Sequence, residues 1–435
     1  MTDTLHLSAH ARATLVLGLP LIGSHLAQMA LHVVDTVMMG RYGVAELAAT
    51  VLGASSFFII FILGAGFAQG VMSMVAQALG RGDEVQVRRD VRMAMWLSIG
   101  YGVLCYPLFW WSGPILRALG QQEDVARLGQ DFMRIAGLGM IPALLVMVLK
   151  NYLAALQRTQ VVLWVTLAAV VVNVAVGWPL IFGRWGAPEL GVRGAAIASV
   201  VVQVATAGLL AAYAGWLPEL RRFRLFQRFW RPDWQAMGQV FRLGWPIGVT
   251  SLLEGGLFMA ASLMMGWIGA VELAAHGIAM QVASLAFMFH VGLSNAATVR
   301  TGRAAGAGDA RGLRDGARVA IALSFGFGLA MVALMLALPG PIIAVGTLLL
   351  GMAALFQMAD AMQVIALGLL RGIRDTRVPM IAAGVSYWVI GIPCSYGLGF
   401  VLGFGAAGIW FGLVVGLVFA SVSMMLRFWM LAPKA

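Results

Sequence analysis

Three carboxylates stand inside long apolar runs of this 435-residue chain, where an ionised side chain is costly. They are Asp35, Glu254 and Asp360, whereas the remaining acidic residues lie in polar joints or near the ends of the runs. An aspartate at the centre of a membrane helix costs about 2.5 to 3.5 kcal/mol, so it normally faces a protein interior or a water-filled cavity. Reversible binding of a proton or a small cation is the chemistry that this placement favours.

Glu254 and Asp360 lie near the middle of two different apolar runs in the second half of the chain. Two carboxylates that are close together and away from bulk water suit reversible proton binding, and together they can also coordinate a hard cation such as Na⁺. Hydrogen bonding between helices is the structural alternative for both residues. We expect one proton or cation site at this pair.

Asp35 lies toward the end of the first apolar run, where a charge costs less, so a place at the membrane interface is an alternative to a functional role. Single amides in apolar helices often serve only to hydrogen-bond neighbouring helices together. A lone histidine in such a helix is usually just hydrogen-bonded. The polar side chains that can line a cavity are Gln28, Asn173, His276, Gln281 and Gln357. We find no spacing typical of metal ligands, so we expect no catalytic residue, no cofactor and no metal other than Na⁺ at Glu254 and Asp360.

Membrane helices must position these residues, because the chain has too little polar surface for water. It is 61% hydrophobic and 11% charged, with a mean hydropathy of +0.89, whereas soluble domains have roughly 25% charged residues. About 20 apolar residues span a bilayer, and the apolar runs cover 13–39, 47–79, 93–117, 127–155, 160–182, 191–215, 240–268, 272–299, 317–338, 345–370, 378–402 and 406–431. The sequence therefore predicts an all-α polytopic membrane protein with twelve transmembrane helices.

Basic residues in the joints predict how these helices are oriented. Of the 29 lysines and arginines, 22 fall at the termini or in the joints after even-numbered helices, and positive charge is retained on the cytoplasmic side. Both termini and the basic linker at 216–242 should therefore be cytoplasmic. A net charge of +11 placed in this way indicates membrane topology and not nucleic-acid binding.

An internal repeat relates the two halves of the chain. Residues 17–94 align without a gap onto 243–320 with 22 identities in 78 positions, among them Pro20 with Pro246. Shared apolar composition explains scattered Leu and Ala matches, but not proline, glycine and acidic matches at one offset. Transporters are often built from such repeats. We predict two six-helix lobes, with the N-lobe at 1–215, the linker at 216–242 and the C-lobe at 243–435.

The ionisable residues do not follow this repeat. Glu254 aligns with Gln28, and Asp35 aligns with Ala261, so each half has its own acidic residue at a different place. We therefore expect the two lobes to do different jobs.

These residues resemble the multidrug and toxic compound extrusion (MATE) family over almost the whole chain. The motifs that carry the resemblance are Val34–Gly40, Leu253–Gly255, Glu272–His276, Ala297–Gly302 and Phe356–Asp360. The resemblance implies export of cationic amphipathic drugs and dyes in exchange for Na⁺ or H⁺. It assigns Glu254 and Asp360 to a cation site in the C-lobe. It also assigns Asp35 and Asn173 to a polar cluster in the N-lobe, to which we add Gln28.

Two features depart from the pattern of the family. Gly177 stands where the family often has a second asparagine, four residues after Asn173, which weakens the case for an ion site in the N-lobe. The joint between helices 9 and 10, around Pro341 to Val345, is shorter than expected and has no charge.

The resemblance and the repeat together predict a secondary active multidrug antiporter of the bacterial inner membrane that works by alternating access. ATP is not expected to drive it, because the chain has no Walker motif. We expect a monomer whose partners are small cationic drugs and the lipid bilayer. The alternative function is a flippase for lipid-linked intermediates, which requires basic residues within the membrane, and Lys150 comes nearest to that requirement.

Overall fold

Within the described residues, twelve α-helices are long and apolar enough to cross a membrane. The computed structural model describes residues 7–337 and 343–432. Side chains are described for all of these residues except 335–350. The helices are α1 Leu7–Tyr42, α2 Val44–Gly80, α3 Glu84–Trp110, α4 Glu123–Ala155, α5 Thr159–Phe182, α6 Val192–Trp216, α7 Trp234–Ile268, α8 Ala270–Ala307, α9 Ala310–Ala337, α10 Ile343–Gly372, α11 Arg377–Val401 and α12 Gly405–Leu431. The predicted all-α fold with twelve spans is confirmed. The short joint predicted around Pro341 lies outside the described residues.

The predicted ends of three helices are wrong by about two turns. α3 begins at Glu84 and ends at Trp110, α8 continues to Ala307, and α9 begins at Ala310. The added segments before α3 and around the α8–α9 joint contain several arginines, which are good helix formers. Hydropathy marks the apolar part of a span, but the helix continues into the polar interface.

The joints of the two halves share their geometry, as the internal repeat predicts. α1 and α2 are separated only by Gly43, and α7 and α8 only by Gly269. The N–H of Gly43 donates to the carbonyl of Met39, and the N–H of Gly269 donates to that of Met265, at 3.1 Å in both joints. These methionines are equivalent in the repeat. Each half therefore reverses direction between its first two helices with the same tight joint.

A second pair of matching turns follows α2 and α8. Gly82 and Gly308 have φ values of +74° and +69°, a left-handed conformation that glycine adopts without a steric penalty. The carboxylates of Asp83 and Asp309 then each accept a hydrogen bond from the backbone N–H three residues later, at 2.9 and 2.8 Å. Each aspartate is thus the N-cap of the next helix, so the same helix boundary is defined in both halves.

The chain forms two compact units, each with its own apolar core. The C-unit contains Met1–Ile22, Ala76–Gly82 and Val249–Ala435, and the N-unit contains Gly23–Val75 and Asp83–Gly248. The core of the C-unit is built around the buried rings of Phe356, Trp410 and Phe428. The core of the N-unit is built around Phe109, Phe132 and Met140. The segment predicted as a basic linker belongs to the N-unit.

That linker packs against α3 inside the N-unit. Arg92 donates a hydrogen bond to the carbonyl of Arg228 at 3.1 Å, and the Trp96 indole donates to the carbonyl of Phe229 at 2.8 Å. Charged and aromatic side chains of α3 therefore satisfy backbone carbonyls of the linker, which gives this connection a defined path.

An ion pair fixes the end of the linker at the start of α7. Arg89 donates to the Asp233 carboxylate at 2.5 Å, and a second oxygen of Asp233 accepts from the N–H of Ala236 at 3.0 Å. Asp233 is thus the N-cap of α7. The hydrogen bond from Arg89 holds the pKa of the Asp233 carboxyl below its usual range, against the opposing effect of partial burial.

Glycines allow the closest approaches between helices in each unit. In the N-unit, a Cβ added to Gly66 of α2 would lie 2.4 Å from the nitrogen of Gly248 and 2.5 Å from the oxygen of Gly244 in α7. In the C-unit, a Cβ on Gly292 of α8 would lie 2.8 Å from the nitrogen of Ile22 in α1. Gly66 and Gly292 are equivalent in the repeat. Small residues let helix backbones meet in this way within membranes.

Candidate functional site

Glu254 of α7 and Asp360 of α10 lie near each other inside the C-unit. The two carboxylates are within electrostatic range of each other, and Asp360 is only 1% exposed. The Gln363 amide donates a hydrogen bond to Glu254 Oε1 at 3.1 Å. Since Gln363 follows Asp360 by three residues, the two side chains share one face of α10. The helices therefore bring the predicted pair into one polar cluster.

Several buried polar atoms of this cluster have no hydrogen-bond partner within the described residues. They are Asp360 Oδ1 and both amide atoms of Gln357, whereas the Tyr387 hydroxyl interacts with the Gln363 side chain. Buried polar atoms are normally paired, so this group needs an explanation. Carboxylate, amide and hydroxyl oxygens are the ligands that hard cations prefer, and a protonated carboxyl can donate to any of them. The cluster is therefore chemically able to take up a proton or a small cation.

α11 contributes to this cluster through a stretch of π-helix. Val385–Gly391 has π-helical winding, and it contains Tyr387, which is fully buried and within electrostatic range of both carboxylates. The indole of the next residue, Trp388, donates to the carbonyl of Leu253 at 3.2 Å, one residue before Glu254. π-Helical turns are frequent at functional sites. The irregular part of α11 therefore lies beside the candidate cation site.

Arg371 is a basic neighbour of Glu254 that the sequence did not single out. It lies in the last turn of α10, within electrostatic range of Glu254. Eleven residues separate it from Asp360, which is about three helical turns, so both residues lie on the same face of α10. Glu254 thus has an acidic neighbour in Asp360 and a basic neighbour in Arg371.

The N-unit contains a cavity of about 310 Å³, which suits a small organic molecule. α1, α2, α4, α5 and α6 all contribute to its wall. Its apolar side is largely aromatic, with three phenylalanines from α2 and one from α4. These are Phe57, Phe58, Phe61 and Phe132. The polar side chains in the wall include Gln28, Asp35, Lys150, Thr166, Gln203 and Thr206.

Asp35 and Asn173 are directly joined in this unit. The Asn173 amide donates to Asp35 Oδ1 at 2.6 Å, and Asn173 Oδ1 is buried without a hydrogen-bond partner within the described residues. Gly177, one turn further along α5, faces Met38, whose methyl carbon lies 3.2 Å from a Cβ built on the glycine. A methionine therefore occupies the space near the position where the family often has a second asparagine.

The other predicted site residues lie in separate places. Gln28 lines the same cavity as Asp35, and Gln357 lies one turn before Asp360 in α10. His276 is buried, shares a hydrogen bond of 3.1 Å with Ser262, and packs its ring on Trp410. Gln281 is exposed on α8. Within the described residues, no group of three His, Cys, Asp or Glu side chains is arranged to hold a metal ion.

Sequence reasoning missed Gln363 and Tyr387 as members of the C-unit cluster, and it considered Lys150 only for a flippase. Gln363 was visible as the next polar residue on the Asp360 face of α10. Lys150 was visible as one of only two lysines in the chain, the other being Lys434. Tyr387 gave no signal, because its inward direction depends on the π-helical winding of α11.

Comparison with known proteins gives consistent matches over nearly the whole chain. The family model described as MatE matches residues 20–178 and 246–397. The chain is 46% identical to a probable multidrug resistance protein NorM of Rhizobium meliloti (strain 1021), over 98% of this chain and 94% of the relative. It is 43% identical to a protein of the same name from Agrobacterium fabrum (strain C58), over 98% of this chain and 95% of the relative.

Solved structures share the fold at low sequence identity. The eukaryotic MATE transporter AtDTX14 matches with a TM-score of 0.86 and 19% identity, over 98% of both chains. A MATE structure in complex with MaD3S matches with a TM-score of 0.89 and 20% identity, over 98% of this chain and 96% of that one. The chain therefore belongs to the MATE family and is a multi-pass membrane transporter, not an enzyme.

Proposed function

We propose that this chain is a secondary active multidrug exporter of the bacterial inner membrane. It moves cationic amphipathic drugs and dyes outward in exchange for Na⁺ or H⁺. The names of the bacterial relatives support drugs as substrates, since both are described as probable multidrug resistance proteins. The monomer is taken as the working unit, and the segment at 216–242 connects its two six-helix halves.

The observation that carries this proposal is the division of polar groups between the two units. The N-unit holds a cavity with aromatic walls and one carboxylate, Asp35, which suits a flat organic cation. The C-unit holds a compact cluster around Glu254 and Asp360 with unpaired buried oxygens, which suits a small ion. We assign drug binding to the N-unit and ion binding to the C-unit.

Ion binding in the C-unit can drive export only if it favours a conformation with a lower affinity for drug. Two ionised carboxylates are costly in the membrane interior, so a proton or Na⁺ at Glu254 and Asp360 stabilises the conformation that encloses them. Linkage then requires bound drug to weaken ion binding by the same factor. Alternating exposure of the sites to the two sides of the membrane completes the antiport cycle.

Purified protein in sealed vesicles tests this proposal. We expect efflux of a cationic dye such as ethidium to follow an imposed Na⁺ gradient or an imposed proton gradient, and the gradient that drives it identifies the ion. Glu254→Gln and Asp360→Asn should retain dye binding. Their gradient-driven efflux rate should be at least about tenfold lower than that of wild type, which corresponds to removing one charge-assisted interaction.

Asp35→Asn and Gln281→Leu are the comparison variants for this experiment. Asp35→Asn removes the carboxylate of the cavity, so it should weaken dye binding while the remaining transport stays coupled to the gradient. Gln281→Leu changes an exposed glutamine on α8 and should behave as wild type. Normal gradient-driven efflux by both C-unit variants would leave their carboxylates as helix-packing groups and sink the proposed mechanism.

A further inference from the structure

We propose that Lys150 forms an anion subsite in the N-unit cavity, toward the opposite end from Asp35. The cavity then takes zwitterionic amphipathic substrates, with the cationic group near Asp35 and a carboxylate at Lys150. This inference deepens the proposed export function and rests on it for the identity of the drug cavity.

Lys150 has a charge that is not neutralised by a partner within the described part of the chain. Its side chain is partly buried on α4 and lines the cavity. All the ion pairs among the described residues join arginine to Asp or Glu, and none involves Lys150. An ammonium in a low-dielectric cavity is costly without an anion beside it. A bound carboxylate would therefore remove a cost that a purely cationic substrate leaves in place.

The helix geometry places Lys150 near the level of Thr166. Lys150 lies five residues before the end of α4 at Ala155, and Thr166 lies seven residues after the start of α5 at Thr159. The joint between α4 and α5 is short, so the two side chains are at similar depths along the cavity wall, to which both contribute. Thr166 in turn shares a hydrogen bond of 3.0 Å with Ser24 of α1.

A second observation places Lys150 at the same depth along the cavity wall. Its charge is within electrostatic range of His25, the residue that follows Ser24 in α1. Asp35 lies ten residues beyond His25 in the same helix. At a rise of 1.5 Å per residue this separation is about 15 Å along α1. The anionic and cationic side chains of the cavity wall therefore lie toward opposite ends.

The wall between these two charges is suited to a flat aromatic body. Phe57, Phe58 and Phe61 project from α2 into the cavity, and Met147 and Ala143 of α4 lie one and two turns, respectively, from Lys150. Aromatic faces and a methionine bind planar ring systems with little directional preference. The order cation site, apolar wall, anion site is thus the order of groups in an elongated amphoteric molecule.

Two dyes that differ only at the carboxylate test this assignment. One is a rhodamine with a free carboxylate on its pendant phenyl ring, and the other is its methyl ester, so the first is zwitterionic at neutral pH and the second is cationic. Fluorescence polarisation with purified detergent-solubilised protein reports the affinity for each dye without requiring transport. The variants are Lys150→Gln, Lys150→Arg and Asp35→Asn.

We expect Lys150→Gln to weaken binding of the acid dye by at least about tenfold, since a charge-assisted contact is lost. Binding of the ester should change by less than about threefold or should tighten, and this result also shows that the variant is folded. Lys150→Arg retains the positive charge and should keep most of the affinity for the acid dye. Asp35→Asn should weaken both dyes, because both contain the cation.

Equal effects of Lys150→Gln on the two dyes, or no effect on either, overturn the anion subsite. Loss of co-purified anionic phospholipid in Lys150→Gln with unchanged dye binding also overturns it, because Lys150 then serves a lipid headgroup. Wild-type protein that binds the ester but not the acid dye refutes the subsite and leaves the export function standing. Binding of both dyes as expected, without gradient-driven transport, refutes the export function and leaves the subsite standing.

Discussion

At the scale of single residues, Glu254 is defined by its neighbours as much as by its own charge. The Gln363 amide donates to it, Asp360 repels it, and Arg371 attracts it. Asp35 has a simpler setting, with one direct donor in Asn173. The same functional group therefore stands in two different surroundings, because the polar groups around it differ in number and in charge.

Removing the Gln363 amide should change the ion affinity of the proposed cation site without removing a carboxylate. Gln363→Leu leaves Glu254 Oε1 without its 3.1 Å donor, and loss of a hydrogen bond to a charged group costs about 1.5 to 3 kcal/mol when the partner stays buried. Because that bond stabilises the ionised carboxylate, its loss favours the protonated form. In vesicles with a proton gradient, we expect the proton concentration for half-maximal dye efflux to fall by about tenfold or more.

The exposed glutamine of α8 provides the control for that substitution. Gln281→Leu makes the same chemical change on a side chain that is exposed, so its ion dependence should match wild type. An unchanged ion dependence in Gln363→Leu, at normal dye binding, would exclude Gln363 from the cation site.

The sequence identified the acidic residues of the two sites but only part of their surroundings. A carboxylate in an apolar run is conspicuous because its burial is costly, so Asp35, Glu254 and Asp360 stood out individually. Tyr387 did not, since a tyrosine is common in a membrane helix and its direction depends on a local π-helical turn. The partnership of Gln363 with Glu254 depends on how α7 and α10 pack, which periodicity alone does not give.

At the scale of elements, glycines that bring two helix backbones into contact set how closely the helices approach. Gly66 of α2 meets the backbone of α7, and its repeat equivalent Gly292 of α8 meets the backbone of α1. The nearest atoms at Gly66 belong to backbone, which cannot rotate away as a side chain can. Small residues at such crossings let the helix backbones pack closely in a membrane.

Gly66→Ala should therefore destabilise the N-unit although alanine is the better helix former. The added methyl would lie 2.4 Å from the nitrogen of Gly248, and overpacking of this kind typically costs about 1 to 3 kcal/mol. We expect a lower Tm in detergent, measured by the temperature dependence of tryptophan fluorescence.

Gly100→Ala is the matched control for that change. Gly100 lies in α3 of the same unit, and a Cβ there meets no atom within 4 Å. Alanine should stabilise this position slightly, because it gains about 1 kcal/mol of helix propensity over glycine. A Tm for Gly66→Ala at or above that of Gly100→Ala would contradict the close approach of α2 and α7.

The ion pair between Arg89 and Asp233 should control how firmly the linker is held on α3. Asp233→Asn keeps the side chain's shape but removes its charge, so we expect trypsin to cleave within 216–242 several-fold faster at neutral pH. Asp315→Asn, which breaks an exposed Arg–Asp pair in α9, should leave cleavage in the linker unchanged.

The pH dependence of the wild-type linker follows from the lowered pKa of Asp233. A carboxyl with a lowered pKa in the folded state stabilises that state above its unfolded pKa, which is about 3.9 for aspartate. The contribution decreases below that pH and is lost as the pH falls through the lowered pKa. Protection of linker amides against hydrogen exchange, taken relative to the intrinsic exchange rate at each pH, should therefore stay high down to about pH 4 and decrease below it. Loss of this protection already between pH 5 and 6 would contradict this assignment.

Helix existence was predictable from the sequence, whereas several helix ends were not. The apolar runs located all twelve spans, because burial in lipid requires about 20 apolar residues per helix. The arginine-rich segments before α3 and between α8 and α9 looked like joints, but they continue the helices up to the aspartate caps at Asp83 and Asp309. Capping residues located these ends better than hydropathy did.

At the scale of the whole molecule, the internal repeat preserves folding signals more than chemistry. The joints at Gly43 and Gly269 and the caps at Asp83 and Asp309 are equivalent in the two halves. The acidic residues inside the membrane are not equivalent. Duplication therefore gave two copies of one scaffold, and the polar groups then diverged within each copy.

The orientation of this scaffold is a prediction from the distribution of basic residues. In a background without Cys105 and Cys394, Gln227→Cys in the linker should react with a membrane-impermeant maleimide only after cells are permeabilised. Gln121→Cys, in the exposed joint between α3 and α4, should react in intact cells. Labelling of Gln227→Cys from outside intact cells would reverse the predicted orientation.

The aromatic cavity is lined by residues of the N-unit, and this has a consequence for resistance in bacterial populations. A single nucleotide change that alters Phe58 or Gln203 reshapes the wall that a drug touches, while the carboxylate cluster of the C-unit keeps its sequence and its donors. On the proposed division of tasks, the range of exported compounds can shift under antibiotic selection while the energy source stays intact. Clinical or laboratory variants with altered drug profiles should therefore accumulate in Gly23–Val75 and Asp83–Gly248, and inactivating variants should concentrate around Glu254 and Asp360.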